Sequence, residues 1–118
     1  MFNCSINQVF TMSEVNSTDP TRLDDETAID LADLFHIFGD STRIRILWIL
    51  RSGEMCVDDL ANAAGISMSA CSHQLKTLRT ADLVETRRDG KRIMYRISDE
   101  HVDILLRVAL EHMQEMPR

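Results

Sequence analysis

The segment at 98–115 reads SDEHVDILLRVALEHMQE and carries two histidine–carboxylate pairs, Asp99 with His101 and His112 with Glu115. Imidazole nitrogens and carboxylate oxygens are ligands for a divalent cation. Two of each would make a tetrahedral set suited to zinc and tolerable to cobalt. On one helix His101 and His112 are separated by nearly three full turns, so they share a face but lie about 16 Å apart along the axis. A zinc–nitrogen bond spans only about 2 Å, so one copy of the chain cannot bring both histidines to one ion. A second copy of the helix, antiparallel across a two-fold axis, sets His101 of one chain against His112 of the other and gives a symmetric dimer two equal sites. Asp99 lies where the chain enters the helix and can bend its carboxylate toward His101. Glu115 is i+3 from His112, a neighbour on the same face. Between the pairs His101, Leu105, Val108, His112 and Glu115 form one heptad-spaced row, with Val102, Leu106, Ala109, Met113 and Met116 beside it. The small Ala109 would let two such helices approach closely. Without a metal the same rows describe a plain dimer helix with polar histidines at its seam, and spacing alone leaves both readings open.

A second constellation suits nucleic acid. Residues 67–76 read SMSACSHQLK. With Ser67 as the cap, Ser69, Ser72, His73 and Lys76 fall at i, i+3, i+4 and i+7 on one helical face, while Ala70, Cys71, Leu75 and Leu78 point elsewhere and can pack. Hydroxyls, an imidazole and an amine are suited to base edges and phosphates. Arg87, Arg88, Lys91 and Arg92 follow around an Asp89-Gly90 hairpin signal, where they can meet phosphates or a minor groove. A solvated helix surface is the plain alternative for the first face. The basic hairpin directly after it favours double-stranded DNA.

The elements that must position these groups are legible in the periodicity. An acidic first turn at Asp24-Asp25 predicts a helix with the stripe Ala28, Leu31, Phe35 and Phe38, ended by Gly39. Asp40 is expected to cap a second, core helix over 41–51. A third runs over 56–64, with Asp59 placed as a capping-box acid after Cys56. After the Gly65-Ile66 turn, Ser67 caps a fourth helix to about Thr80. Alternating segments at 83–87 and 92–97 form a hairpin, and Ser98 is expected to cap the last helix, to about Met116. The fold class is therefore mainly α with a small β-hairpin, a winged helix-turn-helix, homodimeric through its first and last helices. Residues 1–22, polar and aperiodic, are expected to form a mobile arm, and 23–118 the DNA-binding and dimerisation domain.

Composition sets the outer bounds. A chain of 118 residues fits one domain, one that buries only about 60–70% of its unfolded surface and gains from a partner. No apolar run approaches the roughly 20 residues of a membrane span, and the N-terminus lacks a secretory pattern. Three widely spaced cysteines, Cys4, Cys56 and Cys71, make a poor disulfide framework and suggest the reducing cytoplasm. The net charge of −6 hides an asymmetry: residues 1–40 hold eight acids and one base, residues 66–97 seven bases and three acids. A local basic stripe is what phosphate binding needs.

Over 32–115 the chain resembles the ArsR/SmtB family of bacterial metal-sensing repressors. The marks are FGDSTRIRIL at 38–47, EMCVDDL at 54–60, SACSHQL at 69–75, and Asp-x-His, ten residues, His-x-x-Glu in the last helix. The resemblance implies that the metal-free dimer binds an operator of dyad symmetry. It also implies that zinc at Asp99, His101, His112 and Glu115 weakens that binding, releasing genes for metal resistance or efflux. Cobalt, nickel and cadmium are alternative effectors. It further implies a relay from His112 to the backbone near Asp82. Many relatives hold a second metal with the cysteine at position 56 and the N-terminal arm. Here Cys-Val-Asp stands where the lead or cadmium branch has Cys-x-Cys, leaving Cys4, Cys56 and Asp58 as a second candidate set, or Cys56 as a remnant at a helix start. Cys71 is expected in the core. A thiol-based redox or persulfide-sensing repressor using Cys56 with Cys4 or Cys71 is the alternative, disfavoured by the cysteine spacing. An enzyme with a small-molecule substrate is not expected: four protein ligands would close the metal site to water.

Overall fold

The computed structural model describes residues 21–116, in two compact units that divide between His36 and Ile37. Residues 1–20, and with them Cys4 and most of the expected arm, lie outside the described residues.

The first unit holds most of α1 (Asp25–Phe38). The helix starts because the Asp24 carboxylate accepts the Thr27 N–H at 2.8 Å. That bond holds the Asp24 carboxyl below the usual range. The stripe predicted for this helix exists, but α1 contains no buried residue, and Leu31 and Phe35 are exposed.

The second unit contains α2 (Ser41–Leu50), β1 (Met55–Cys56), α3 (Val57–Ala64), α4 (Met68–Thr80), β2 (Val84–Asp89), β3 (Arg92–Ile97) and α5 (Glu100–Glu115). Its core is apolar throughout. Ile46 and Leu47 of α2, Leu60 of α3, and Cys71, Leu75 and Leu78 of α4 are fully buried. Each large aliphatic side chain so placed contributes roughly 1.5–3 kcal/mol relative to exposure. Cys71 is thus the core residue expected, and burial pushes its thiol pKa up. Full burial keeps that thiol away from solvent, which counts against its use in the thiol-sensing alternative.

The sheet has one strand more than the periodicity suggested, in the order β1-β3-β2, all antiparallel. Strand β1 pairs Met55 with Tyr95 and Cys56 with Met94. Two residues are too short a stretch to show alternation. In the hairpin Asp89 pairs with Arg92, so the two turn residues are Gly90 and Lys91 rather than Asp89 and Gly90. Gly90 has φ +65°, and Lys91 is not in the positive-φ region. Glycine at the first turn position alone is the type II′ requirement, which suits the right-handed twist of the strands.

The last helix is capped by Asp99, not Ser98. The Asp99 carboxylate accepts the His101 N–H at 2.8 Å. Ser98 instead closes a tertiary link: its hydroxyl donates to the Asp82 carbonyl at 2.7 Å, and its N–H donates to the Leu83 carbonyl at 3.1 Å. Both side chains are good caps, and the serine is drawn away by an acceptor distant in sequence. At α3, Cys56 occupies the N-cap position without a side-chain cap bond, and Asp59 takes a hydrogen bond from Arg92 in place of the expected capping box.

Candidate nucleic-acid interface and metal centre

Helices α3 and α4 pack on each other and on α2, and α4 is the second helix of the pair. Ser67 caps it by accepting the Ala70 N–H at 3.0 Å, and its Oγ lies 3.3 Å from that of Ser69. Ser69, Ser72, His73 and Lys76 are all exposed along one side, opposite Cys71, Leu75 and Leu78. Ala70, expected to pack, is exposed as well. Burial of the apolar face therefore fixes which polar side chains α4 presents. One further contact steadies it: Arg43 of α2 donates through Nη1 to Gln74 Oε1 at 3.1 Å and through Nε to the Ile37 carbonyl at 2.9 Å.

The wing divides the four cations expected near its tip. Arg87 donates from Nε to both carboxylate oxygens of Glu54, at 2.8 and 3.0 Å, and from Nη2 to Oε1. That pairing holds the Glu54 carboxyl below the usual range and raises the Arg87 pKa. Arg92 donates to Cys56 Sγ at 2.7 Å and to Asp59 at 3.3 Å, which raises its own pKa. These two arginines tie the hairpin to the segment carrying β1 and the start of α3. Arg88 and Lys91 remain at the exposed tip. Arg88 donates to the Gly90 carbonyl at 3.3 Å, and neither cation pairs with a carboxylate among the described residues.

The Glu54 tether has a pH signature. A carboxyl whose folded pKa is lowered stabilises the fold above its unfolded pKa and loses that contribution as pH falls through the folded value. Glu54→Gln removes the ion pair at every pH. We expect it to lower the melting temperature modestly at neutral pH, with variant and parent converging in acid. A pH series of thermal melts checks this. A gap that persists unchanged below the carboxylate range contradicts it.

On α5, Asp99 is in extended backbone (φ −160°, ψ 174°). Its Oδ1 lies 3.4 Å from His101 Nδ1, with both side chains more than half exposed. His112 and Glu115 are exposed near the other end, one turn apart. The structure therefore brings Asp99 to His101, and sets His112 and Glu115 on one stretch of surface, but does not join the two pairs. Among the described residues no three His, Cys, Asp or Glu side chains converge on a metal-sized position within one chain. The donor set, imidazole and carboxylate without an arginine ion pair among the described residues, still fits a borderline divalent ion. The second candidate set differs. Asp58 lies near Cys56 along a cavity of about 610 Å³ shared with Lys91, Arg92 and Tyr95, and the Cys56 sulfur there is already engaged by Arg92.

The expected second row is buried only in its first half, because Ala109, Met113 and Met116 are exposed. Val102 and Leu106 are buried within the chain, whereas Leu105, Val108 and Met113 are exposed. Arg51, which caps the C-terminus of α2, stacks on Trp48 with its guanidinium carbon 4.1 Å from the ring centroid, and donates to Asp103. Arg107 donates to the same carboxylate at 3.2 Å. Together these bonds hold the Asp103 carboxyl below its usual range, and the Arg51 bond ties α5 to the end of α2. Sequence reasoning missed Glu54, Arg43, Arg51 and the Ser98–Asp82 link, because each joins residues far apart in sequence with no periodic signal.

A three-stranded winged helix-turn-helix with a polar second helix and a cationic wing tip defines a DNA-reading regulator. Residues 40–86 match the family described as "Bacterial regulatory protein, arsR family". The chain is 38% identical over 104 residues to the transcriptional repressor SmtB homolog of Synechocystis, covering 88% of this chain and 79% of that one. It is 35% identical over 92 residues to a Staphylococcus aureus homolog of the cadmium resistance regulatory protein CadC, covering 77% and 76%. Among solved structures, the homodimeric winged helix-turn-helix DNA-binding domain of Mb0332 from Mycobacterium bovis superimposes with a TM-score of 0.72 at 30% identity, covering 82% of this chain and 92% of that one. The chain belongs to the ArsR/SmtB family of transcriptional repressors, and is a DNA-binding regulator rather than an enzyme. No helix among the described residues is long and apolar enough to cross a membrane.

Proposed function

We propose that this protein is a homodimeric, cytoplasmic repressor that binds a dyad-symmetric operator when metal-free and releases it on binding zinc between paired α5 helices. The observation that carries the reading is the surface of α5. Two imidazole–carboxylate pairs stand exposed near its two ends, about 16 Å apart, with the exposed apolar Leu105 and Val108 between them. An antiparallel second copy covers the apolar patch and completes both ligand sets in one step. Asp99 and His101 of one subunit, with His112 and Glu115 of the other, would hold the ion. Bound there, zinc supplies a positive charge and a fixed tetrahedral geometry rather than reactivity, because no position is left for water.

Coupling to DNA requires the two arrangements of the dimer to differ in metal affinity, and the same difference then weakens operator binding. Asp99 follows Ser98 directly, and Ser98 is bonded to the turn that ends α4. A shift of Asp99 toward an ion is therefore transmitted to the helix that meets the bases. Ser69, Ser72, His73 and Lys76 would face the major groove, with Arg88 and Lys91 on phosphates. The decisive experiment is an operator-binding isotherm with and without zinc. Coupling energies of about 1–3 kcal/mol predict affinity lowered by about 5- to 150-fold when the metal is present. Identical isotherms overturn the reading.

A further inference from the structure

We infer that Met68 is a base-reading residue, packing its thioether chain on a thymine methyl group in the major groove. This rests on the DNA-reading assignment of α4 and extends it to a residue outside the polar set. Met68 is the first residue of α4 and is 51% exposed. Between Gly53 and Asp99, the part of the chain that builds the helix pair and the wing, it is the one exposed large hydrophobic side chain. The others lie in α1 and its approach, at Trp48 in α2, or on α5.

Its place on the helix gives this exposure a use. Met68 precedes Cys71, Leu75 and Leu78 at the spacing of the core stripe and Ser72 and Lys76 at intervals of four, so it stands at the edge of the side that α4 presents. The core-facing residues Cys71, Leu75 and Leu78 begin one turn later. The N-terminal residues of a recognition helix are the ones that reach base edges. The thymine C5 methyl is the one apolar group on the major-groove edge, and it is read by apolar contact. A flexible, unbranched thioether adapts to such a group better than a β-branched side chain. Ser67 holds the first turn in place through the Ala70 N–H, so Met68 projects from a fixed point. The serines and His73 then supply the polar half of the readout.

The test uses a duplex selected by the full-length metal-free protein from a random double-stranded library. Each thymine is replaced in turn by uracil, which deletes only the methyl. For the parent protein, at one symmetric pair of positions, affinity should fall about fourfold per methyl lost from contact. Met68→Ala should bind the thymine duplex more weakly and show no further loss with uracil there, while Met68→Leu keeps the methyl sensitivity. Thermal melts of both variants should match the parent, since the side chain is half exposed. An equal uracil penalty in the parent and Met68→Ala, or no penalty at any position, overturns the assignment while leaving DNA binding intact. Failure to select any duplex removes the DNA-reading assignment as well.

Discussion

His101→Ala should abolish the proposed effect of zinc on operator affinity and leave metal-free binding within about twofold of the parent. The two halves of this expectation have separate causes. His101 is exposed on α5. Its N–H donates to Asp99, and its ring makes no hydrogen bond or ion pair with α4 or the wing among the described residues. Removing the imidazole therefore leaves the fold and the DNA-facing groups as they were. The cap survives too, because it uses the backbone N–H of residue 101, which alanine retains. The proposed metal set would lose one of four donors in each of two sites, and the remaining three would no longer close around the ion. The affinity ratio with and without zinc should then fall from the 5- to 150-fold range to about one. Fluorescence anisotropy on a labelled operator duplex measures it, and metal titration of the same variant should show the loss of tight binding. A cobalt titration of the parent adds a spectroscopic check: an oxygen–nitrogen site lacks the sulfur charge-transfer absorption that a Cys56 site would give. If release persists in His101→Ala and disappears in Cys56→Ser, the effector site lies at Cys56 and not on α5.

What was legible in the sequence followed from local rules. Helices α2, α3 and α4 were readable because their caps and breakers are short-range features, as at Asp40, Gly65 and Ser67. Cys71 was placed in the core because its spacing to Leu75 and Leu78 is helical. The misreadings have one physical source, competition from partners distant in the chain. Ser98 had the right chemistry for a cap, but the Asp82 carbonyl, freed where that residue turns with φ +62°, takes its hydroxyl. The sequence places Arg87 and Arg92 near the wing tip with Arg88 and Lys91, and nothing local shows that Glu54 and the Cys56–Asp59 segment bond to them. Strand β1 was invisible because Met55 and Cys56 acquire strand character only from Tyr95 and Met94. The candidate ligands on α5 follow from helical spacing, a local feature, and all four are exposed.

Val108→Asp should convert the dimer to a folded monomer, lose dyad-operator binding by more than a hundredfold, and lose zinc binding with it. The size of the effect follows from symmetry. If His101 meets His112 of the partner subunit, the same antiparallel register brings Val108 to Leu105 of the partner subunit, and each contact occurs twice. Val108 is 56% exposed and Leu105 39% exposed in the single chain, so the substitution leaves the chain's own core untouched. In the dimer it places two carboxylates in an apolar seam without a cation to pair them. Removing an ionised carboxylate from water without a partner costs several kcal/mol, and the cost is paid at both copies. Sedimentation equilibrium should give a monomer mass, while circular dichroism and the cooperativity of thermal melting stay close to the parent's. A monomer retains the DNA-facing side of α4 but holds only half a site, so it binds without the second half's contribution. Each α5 then also carries ligand pairs too far apart to share an ion. A variant that stays dimeric, or a monomer that still binds zinc tightly and releases DNA, would show that the ligand set is completed elsewhere.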